Sequence, residues 1–252
     1  MNDQTVIETQ NLTKVYGEQV AVDHLNLKIN HGEVFGFLGP NGAGKTTTLL
    51  MLLGLSEPTE GKAWVCGLDP TRDPLKVKRM VGYLPENVGF YEDMNAVQNL
   101  LFISRLNGIP DSYARPKIDE LLKLVDLQVD PRKRVGAYSR GMRQRLGIAE
   151  VLLKEPQIVF LDEPTLGLDP DGSIQILEVI RLLSSEKKIT VFFSSHLLDQ
   201  VQKISHRVGI MIKGHLVAMG RIDDLAKEKF GLGQESYTLE EIYMKYFKEG
   251  QS

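Results

Sequence analysis

The chain has 252 residues, of which 42% are hydrophobic and 25% charged, so it is long enough for one large domain or two lobes and is not expected to be disordered. Its formal net charge of −3 argues against a general positive field for nucleic acid or anionic lipid. The single cysteine, Cys66, cannot form an internal disulfide, and we expect it to pack as a small apolar residue in a reducing compartment.

The sequence shows neither a secretory signal nor a membrane-spanning helix. Residues Met1–Thr5 are polar and acidic, unlike the basic start and apolar core of a secretory signal. The longest strongly apolar run, Leu49–Leu53, is far short of the roughly 20 residues of a spanning helix. We therefore expect a cytoplasmic protein that reaches a membrane only through a protein partner.

The first predicted elements are strands. Thr5–Glu8 and Leu25–Ile29 are predicted to be antiparallel strands, the second from its period-two alternation. Val34–Leu38 is apolar on both faces, as expected for a central parallel strand, and a glycine-rich loop joins it to a predicted helix, Thr46–Leu53.

Strand patterns are missing between about Tyr91 and Glu155, and apolar residues there recur at helical spacing. One predicted helix face carries Leu100, Ile103 and Leu106, another carries Ile118, Leu121, Leu122 and Val125, and turns are predicted at Asn107–Pro110 and Val129–Pro131. We predict a helical subdomain inserted at about residues 87–155.

Buried strand patterns return at Gln157–Leu161 and Ile189–Phe193, the second after a predicted helix at Ser173–Leu183. Such alternation predicts crossovers and a mostly parallel sheet. The strands Val208–Met211 and Leu216–Met219, turned by Lys213–Gly214, and the helices Ile222–Phe230 and Leu239–Phe247 are predicted to follow. The fold class is therefore α/β, with a domain at residues 1–230 and a short helical tail at 231–252.

The loop Gly39–Thr46 has the phosphate-loop spacing, a glycine, four residues and then Gly-Lys-Thr, between a strand and a helix. Gly42 and Gly44 would allow amide groups to turn toward a phosphate, next to the positive end of the helix. Lys45 would reach the β- and γ-phosphates, and the Thr46 hydroxyl would bind Mg²⁺. The alternative is a glycine turn without a ligand.

The strand that starts at Gln157 ends in two carboxylates, Asp162 and Glu163. Ligands bind at the carboxyl ends of parallel strands in open α/β sheets. Asp162 would hold Mg²⁺ through its water shell, and Glu163 would polarise an attacking water. The alternative is a solvated acidic strand end.

Further motifs narrow this interpretation. Tyr138–Leu153 places Ser139 and Gly141 at the front of a long amphipathic helix, which is a second helix start suited to an anion. Leu168-Asp169-Pro170 follows the carboxylates, and the strand ending at Phe193 leads to Ser194-Ser195-His196.

With these motifs in this order, the chain resembles the nucleotide-binding subunit of an ATP-binding cassette (ABC) transporter, of the single-domain class that partners exporter-type permeases. The resemblance implies a P-loop NTPase core with an N-terminal antiparallel β subdomain. It implies that ATP and Mg²⁺ bind, that a second copy or a related cassette subunit pairs with this one, and that integral membrane permease subunits are separate chains. The protein would then be peripheral on the inner face of the cell membrane, without direct nucleic-acid contact.

The resemblance also implies roles for individual residues. Tyr16 would stack on adenine, Glu163 would be the catalytic base, and His196 would hydrogen-bond the γ-phosphate. Ser139 and Gly141 would touch the γ-phosphate held by the second copy, and Asp169 would link the two sites. The phosphates would be cradled by Gly39, Pro40, Asn41, Gly42, Ala43, Gly44, Lys45, Thr46 and Thr47.

Two positions depart from the family pattern. Glu86 stands where a glutamine usually senses metal and water; a carboxylate can bind Mg²⁺ but cannot donate a hydrogen bond when ionised, and we predict it as a metal ligand. The signature reads Tyr-Ser-Arg-Gly-Met at Tyr138–Met142 instead of Leu-Ser-Gly-Gly-Gln, yet it keeps the serine and one glycine.

Two other functions stay open. One is a soluble cassette ATPase that acts on nucleic acid or the ribosome, although the segment between Lys45 and Ser139 is too short for the long coiled coils of chromosome-type relatives. The other is an ATP-binding switch without turnover, which Glu86 motivates. The cargo also stays open: Leu84–Tyr91 is similar to a stretch in cassettes of copper-related systems that mature nitrous oxide reductase, and drug or lipid export is equally compatible.

Overall fold

A computed structural model describes residues 4–128, 130, 132–230 and 237–249 of the protein. Val129 and Pro131 of the predicted turn, and residues 231–236 and 250–252 of the predicted tail, lie outside the described residues. Within the described ranges, none of the helices has both the length and the apolar character needed to cross a membrane.

Strands and helices alternate over most of the chain. The strands are β1 (Thr5–Tyr16), β2 (Gln19–Leu25), β3 (Lys28–Asn30), β4 (Val34–Leu38), β5 (Glu60–Val65), β6 (Val81–Leu84), β7 (Ile158–Asp162), β8 (Thr190–Ser195), β9 (Arg207–Ile212) and β10 (His215–Gly220). The helices are α1 (Lys45–Leu52), α2 (Pro74–Met80), α3 (Ala96–Leu106), α4 (Asp111–Leu124), α5 (Arg140–Leu152), α6 (Pro170–Ser185), α7 (Leu198–Ile204), α8 (Ile222–Phe230) and α9 (Leu239–Glu249).

The central sheet has six strands in the order β10-β9-β4-β8-β7-β6. All neighbouring strands are parallel except β9 and β10, so the predicted mostly parallel sheet is confirmed. Aromatic rings from three central strands pack together under it, with the Phe192 centroid 5.1 Å from that of Phe37 and 5.7 Å from that of Phe160. This packing fixes β4, β7 and β8 side by side.

The register of these strands brings their carboxyl ends to one level. Leu38 at the end of β4 pairs with Ser195 at the end of β8, and Asp162 at the end of β7 pairs with Ser194. The glycine-rich loop and the two carboxylates therefore lie at the same edge of the sheet, as the sequence predicted.

A second, antiparallel sheet is built around β1, which pairs with β2, β3 and β5. The prediction of one strand over Leu25–Ile29 is wrong, because the chain breaks there into β2 and β3. At the break, the Asn26 side chain donates to the His24 carbonyl (2.8 Å) and accepts from the backbone N–H of Asn11 (3.0 Å). The sequence analysis did not predict β5 or α2, because their apolar residues follow neither the strand period nor the helix period for long.

Between β6 and β7 the chain forms the helices α3, α4 and α5, with no strand among the residues described there. Leu100 is fully buried on α3, whereas Leu106 is 69% exposed, so the predicted shared face is wrong at its last member. The reason is that α3 ends at Leu106, with Asn107 as its C-cap. The subdomain bounds of 87–155 stay a prediction.

The C-terminal elements agree closely with the sequence. Lys213 and Gly214 turn β9 into β10 with φ angles of 48° and 86°, and α8 spans the predicted residues. Helix α9 begins at the predicted Leu239, which is fully buried together with Ile242. The division of the chain at residue 230 stays a prediction.

Candidate functional site

The glycine-rich loop leaves the end of β4 and enters α1 at Lys45. Gly42 and Gly44 have φ angles of 79° and 100°, which favour glycine. A Cβ at Gly44 would lie 2.3 Å from the Ala21 carbonyl oxygen, whereas a Cβ at Gly42 would meet nothing within 4 Å. The loop is thus packed on one side and open at Gly42, which fits a loop whose backbone approaches phosphates.

The Lys45 ammonium lies within this loop. Its Nζ donates to the carbonyl oxygen of Gly39 (2.7 Å) and to that of Pro40 (3.3 Å), and lies 3.3 Å from Oε1 of Glu163. The side chains of Lys45 and Glu163 are only 6% and 8% exposed. A cation is therefore held between the loop and the carboxylate, where it can meet the negative charge of phosphate oxygens.

Asp162 accepts hydrogen bonds from helix α1 and from the neighbouring strand β8. The Thr46 hydroxyl donates to its Oδ2 (2.9 Å), and the Ser194 hydroxyl donates to its Oδ1 (2.5 Å). Hydroxyl and carboxylate oxygens are the ligands that Mg²⁺ prefers, so these two residues fit the predicted metal site. Burial, assisted by the Asp162 charge, raises the pKa of the nearby Tyr83 to about 12, so this phenol is neutral at physiological pH.

Glu163 follows the strand with a φ angle of 49°, which is unusual for a residue other than glycine. Its backbone N–H donates to the Ser194 hydroxyl (3.1 Å), and its Oε2 hydrogen-bonds with Nδ1 of His196 (3.0 Å). Glu163 is buried, while the His196 side chain is 34% exposed. The structure thus brings the two predicted catalytic residues into direct contact.

Ser194 was not assigned a role from the sequence, although it bonds to the Asp162 carboxylate and to the Glu163 backbone. The signal that could have found it is the sheet register: it is the strand residue level with Asp162 on β8. Its hydroxyl serves as a donor to one acidic residue and as an acceptor from the backbone of the next.

The second predicted anion site, at the start of α5, lies in a cavity separate from that of the glycine-rich loop. Ser139 caps α5 as predicted, since its hydroxyl accepts from the Met142 N–H (3.2 Å), and Asp169 caps α6 by accepting from the Gly172 N–H (2.7 Å). Together with Gly141, they line a cavity of about 490 Å³. The loop residues Gly39, Pro40 and Asn41 line a different cavity, of about 310 Å³, with His196.

Tyr16 and Glu86, which also have predicted roles in the site, take no part in the contacts described above. Tyr16, at the end of β1, is 49% exposed, and the Lys14 ammonium lies 4.9 Å from its ring centroid. Glu86 is exposed after β6, and among the described residues no hydrogen bond or ion pair joins it to Thr46 or Asp162. Their roles toward adenine and metal stay predictions.

Comparison with known proteins gives a consistent result. The sequence model of the ABC transporter family matches residues 22–166. The bacitracin transport ATP-binding protein BcrA of Bacillus licheniformis is 44% identical over 223 residues, covering 88% of this chain and 72% of BcrA.

Solved structures agree. An ATP-binding subunit of an ABC transporter superposes with a TM-score of 0.85 at 28% identity, covering 96% of this chain and all of that one. A dimeric, post-hydrolysis ATP-binding cassette bound to ADP and Pi superposes with a TM-score of 0.76 at 26% identity, covering 86% of this chain and 98% of that one. With the phosphate loop, the paired carboxylates and these similarities together, the chain belongs to the ABC transporter family and is an ATP-binding, ATP-hydrolysing transporter subunit.

Proposed function

We propose that two copies of this chain close on two molecules of ATP, and that hydrolysis reopens the pair to drive separate permease subunits. The observation that carries this proposal is the division of the site: Lys45, Asp162, Glu163 and His196 lie together at one edge of the sheet, whereas Ser139 and Gly141 line a separate cavity. A second copy would supply the missing half.

For binding, Lys45 and the backbone N–H groups of Asn41–Thr47 bind the phosphates, and the ring of Tyr16 stacks on the adenine. The loop is open at Gly42, and the positive end of α1 adds roughly half a charge. Thr46 and Asp162 hold Mg²⁺, with Glu86 as a further ligand. The metal, when bound, neutralises phosphate charge.

For hydrolysis, Glu163 accepts the proton of the attacking water. His196, bonded to Oε2 of Glu163, keeps this carboxylate oriented and hydrogen-bonds the γ-phosphate. Lys45, 3.3 Å from the other carboxylate oxygen, turns to the phosphates when ATP enters. A general base placed in this way contributes about 10²–10⁴-fold to the rate.

For pairing, the N-terminus of α5 in one copy covers the γ-phosphate held by the other. Ser139 and Gly141 supply a hydroxyl and a bare backbone there, and Asp169 links the two sites. A triphosphate between two positive helix ends binds the closed state far better than the open one, and such a difference is what a ligand needs to drive motion.

For transport, the helical subdomain passes the closure to integral membrane permeases, which hold the cytoplasmic pair on the inner face of the membrane. The partner cassette is a second copy or a related subunit, and no nucleic acid is bound directly. The similarity to a bacitracin transport protein favours an antibiotic-type cargo over copper-related maturation. The contact of Glu163 with His196 disfavours a switch without turnover.

The test uses the purified full chain with the substitution Glu163→Gln. With saturating MgATP we expect its mass by light scattering to double, while the parent chain returns to a monomer as ATP is hydrolysed. Lys45→Ala, which loses the phosphate cation, should stay monomeric. A Glu163→Gln chain that hydrolyses ATP at the parent rate would show that the assigned base is wrong.

A second arm tests the partner. Tagged protein is recovered from solubilised membranes, and the co-purifying proteins are identified. We expect a polytopic membrane protein; recovery with ribosomes or DNA-associated proteins alone would favour the soluble alternative.

A further inference from the structure

The C-terminal helix α9 has no part in the roles assigned so far, and it lies beyond the residues that match the family model. It is nevertheless firmly docked. Leu239 and Ile242 are fully buried, and Tyr246 is 5% exposed, in the same core cluster as residues of the central sheet. The helix is therefore part of the domain and has a defined position relative to the site.

The start of α9 is bonded to α7, the helix that begins two residues after His196. The Leu239 N–H donates to Oε1 of Gln202 on α7 (2.8 Å). A displacement of α9 would therefore shift α7, the helix that follows His196.

Helix α7 has a second bond on its other side. The Thr165 hydroxyl donates to Oε1 of Gln200 (2.5 Å), and Thr165 is buried two residues after Glu163, on the segment that leads to Asp169. Helix α7 therefore connects α9 with the segment that holds the catalytic carboxylate.

Tyr243 lies one helical turn after Leu239 and points to the same region. Its half-buried ring lines the cavity of about 310 Å³ that also contains Pro40, Asn41 and His196. The ring stacks on Phe247 with centroids 5.8 Å apart, which supports its orientation. An aromatic ring of the tail thus forms one wall of the space between the phosphate loop and His196.

We propose that Tyr243 is a positioning residue for ATP hydrolysis: through its ring and the hydrogen bond from α9 to α7, it keeps His196 placed on Glu163 when the two copies close. This inference rests on the proposed roles of Glu163 and His196. It assigns the task to the aromatic ring, because the ring forms the wall of the cavity and the stack on Phe247.

The experiment measures kcat and KM for ATP with the full-length Tyr243→Ala, Tyr243→Phe and Met244→Ala chains. Met244 is the matched control, since it is the next residue of α9 and 44% exposed. We expect Tyr243→Ala to lower kcat about tenfold, less than the roughly 100-fold that a 1 Å misplacement can cost, with KM within about twofold. Tyr243→Phe should restore kcat, and Met244→Ala should not change it.

Three results would overturn the inference: an unchanged kcat in Tyr243→Ala, an equal loss in Tyr243→Phe, or a change confined to KM. If Tyr243→Ala does not fold, Tyr243→Leu replaces it, because leucine keeps apolar packing without a ring; the same loss of kcat is expected. Glu163→Gln is assayed in parallel. Parent-rate hydrolysis by that chain would refute the proposed function, whereas its loss beside an unaffected Tyr243→Ala would refute only the role of Tyr243.

Discussion

The starts of α1 and α5 can both attract a phosphate, but they differ in how many side chains of the same chain are bonded around them. At the start of α1, Lys45 is buried between loop carbonyls and Glu163, and the carboxylates behind it are bonded to Ser194 and His196. At the start of α5, Ser139 is exposed at an open cavity. The first region, Lys45 with Asp162 and Glu163, is assembled by the fold of one chain, and we call it the assembled half. The second region, the α5 start at Ser139, is a surface that a second copy can use, and we call it the exposed half.

The largest predicted effect tests this difference directly. Lys45→Ala destroys the assembled half and leaves the exposed half intact, while Ser139→Arg does the reverse by placing a bulky side chain at the α5 start. Each chain alone should lose about 100-fold or more of its ATPase rate, as expected when phosphate or transition-state contacts are removed. A mixture should recover activity, because a mixed pair contains one site with both halves intact.

The measurement is phosphate release at constant total protein as the ratio of the two chains is varied. Activity should be highest near equal amounts. A flat line at the level of the separate chains, with mixed pairs shown to form by crosslinking, would contradict the division of the site between copies.

The second predicted effect concerns support of the assembled half. Ser194→Ala removes the donor to Asp162 and the acceptor for the Glu163 N–H, so we expect about a tenfold rise in the Mg²⁺ concentration needed for half-maximal ATPase, as for other groups that orient metal ligands. Ser195→Ala is the control, since within the part of the chain that the structure describes, that hydroxyl accepts from the Leu197 N–H and bonds to neither carboxylate. Equal responses of the two chains would show that Ser194 does not orient the metal site.

The same contrast explains how much could be predicted from sequence. The phosphate loop, Asp162, Glu163 and the cap Ser139 were predicted because local spacing fixes them: a strand must end and a helix must begin beside the ligand. Ser194 and Tyr243 were not, because Asp162 lies 32 residues from Ser194, and Tyr243 shares a cavity with the distant loop residue Asn41. Such contacts depend on the register of the sheet and on where α9 packs, and local sequence patterns predict neither.

The break between β2 and β3 and the exposed Leu106 have a similar cause. Asn26 bonds to Asn11 across the sheet, so a strand-like alternation is interrupted by a long-range contact. Leu106 continues the spacing of its helix, but the helix ends there and no surface formed by the described residues buries it. Periodicity predicts which face of a helix is apolar and not how far the packed surface extends.

A third and smaller effect is predicted for Glu86, whose role as a metal ligand is untested. Glu86→Gln should raise the Mg²⁺ concentration for half-maximal ATPase about threefold, since loss of one outlying carboxylate removes part of the charge that a divalent cation meets. The exposed Glu60 of β5, in the antiparallel sheet, gives the control Glu60→Gln. If both substitutions leave the Mg²⁺ dependence unchanged, Glu86 is not a ligand.

The smallest effect on the ATPase rate is predicted at Cys66, which belongs to neither half of the site. Burial raises the pKa of its thiol to about 11, so at pH 8 only about 0.1% is thiolate, compared with about a quarter for an unperturbed thiol of pKa near 8.5. Because the thiolate is the reactive form, alkylation of the folded chain at pH 8 should be about 200-fold slower than in denaturant and should accelerate about tenfold per pH unit up to pH 10. Iodoacetamide labelling followed by mass spectrometry measures both rates, and Cys66→Ala should keep the parent ATPase rate within about twofold, as expected of a substitution away from the site. A rate in the folded chain equal to that in denaturant, levelling off above about pH 8.5, would place this thiol in solvent. An ATPase loss in Cys66→Ala would extend the assembled half of the site into the antiparallel sheet.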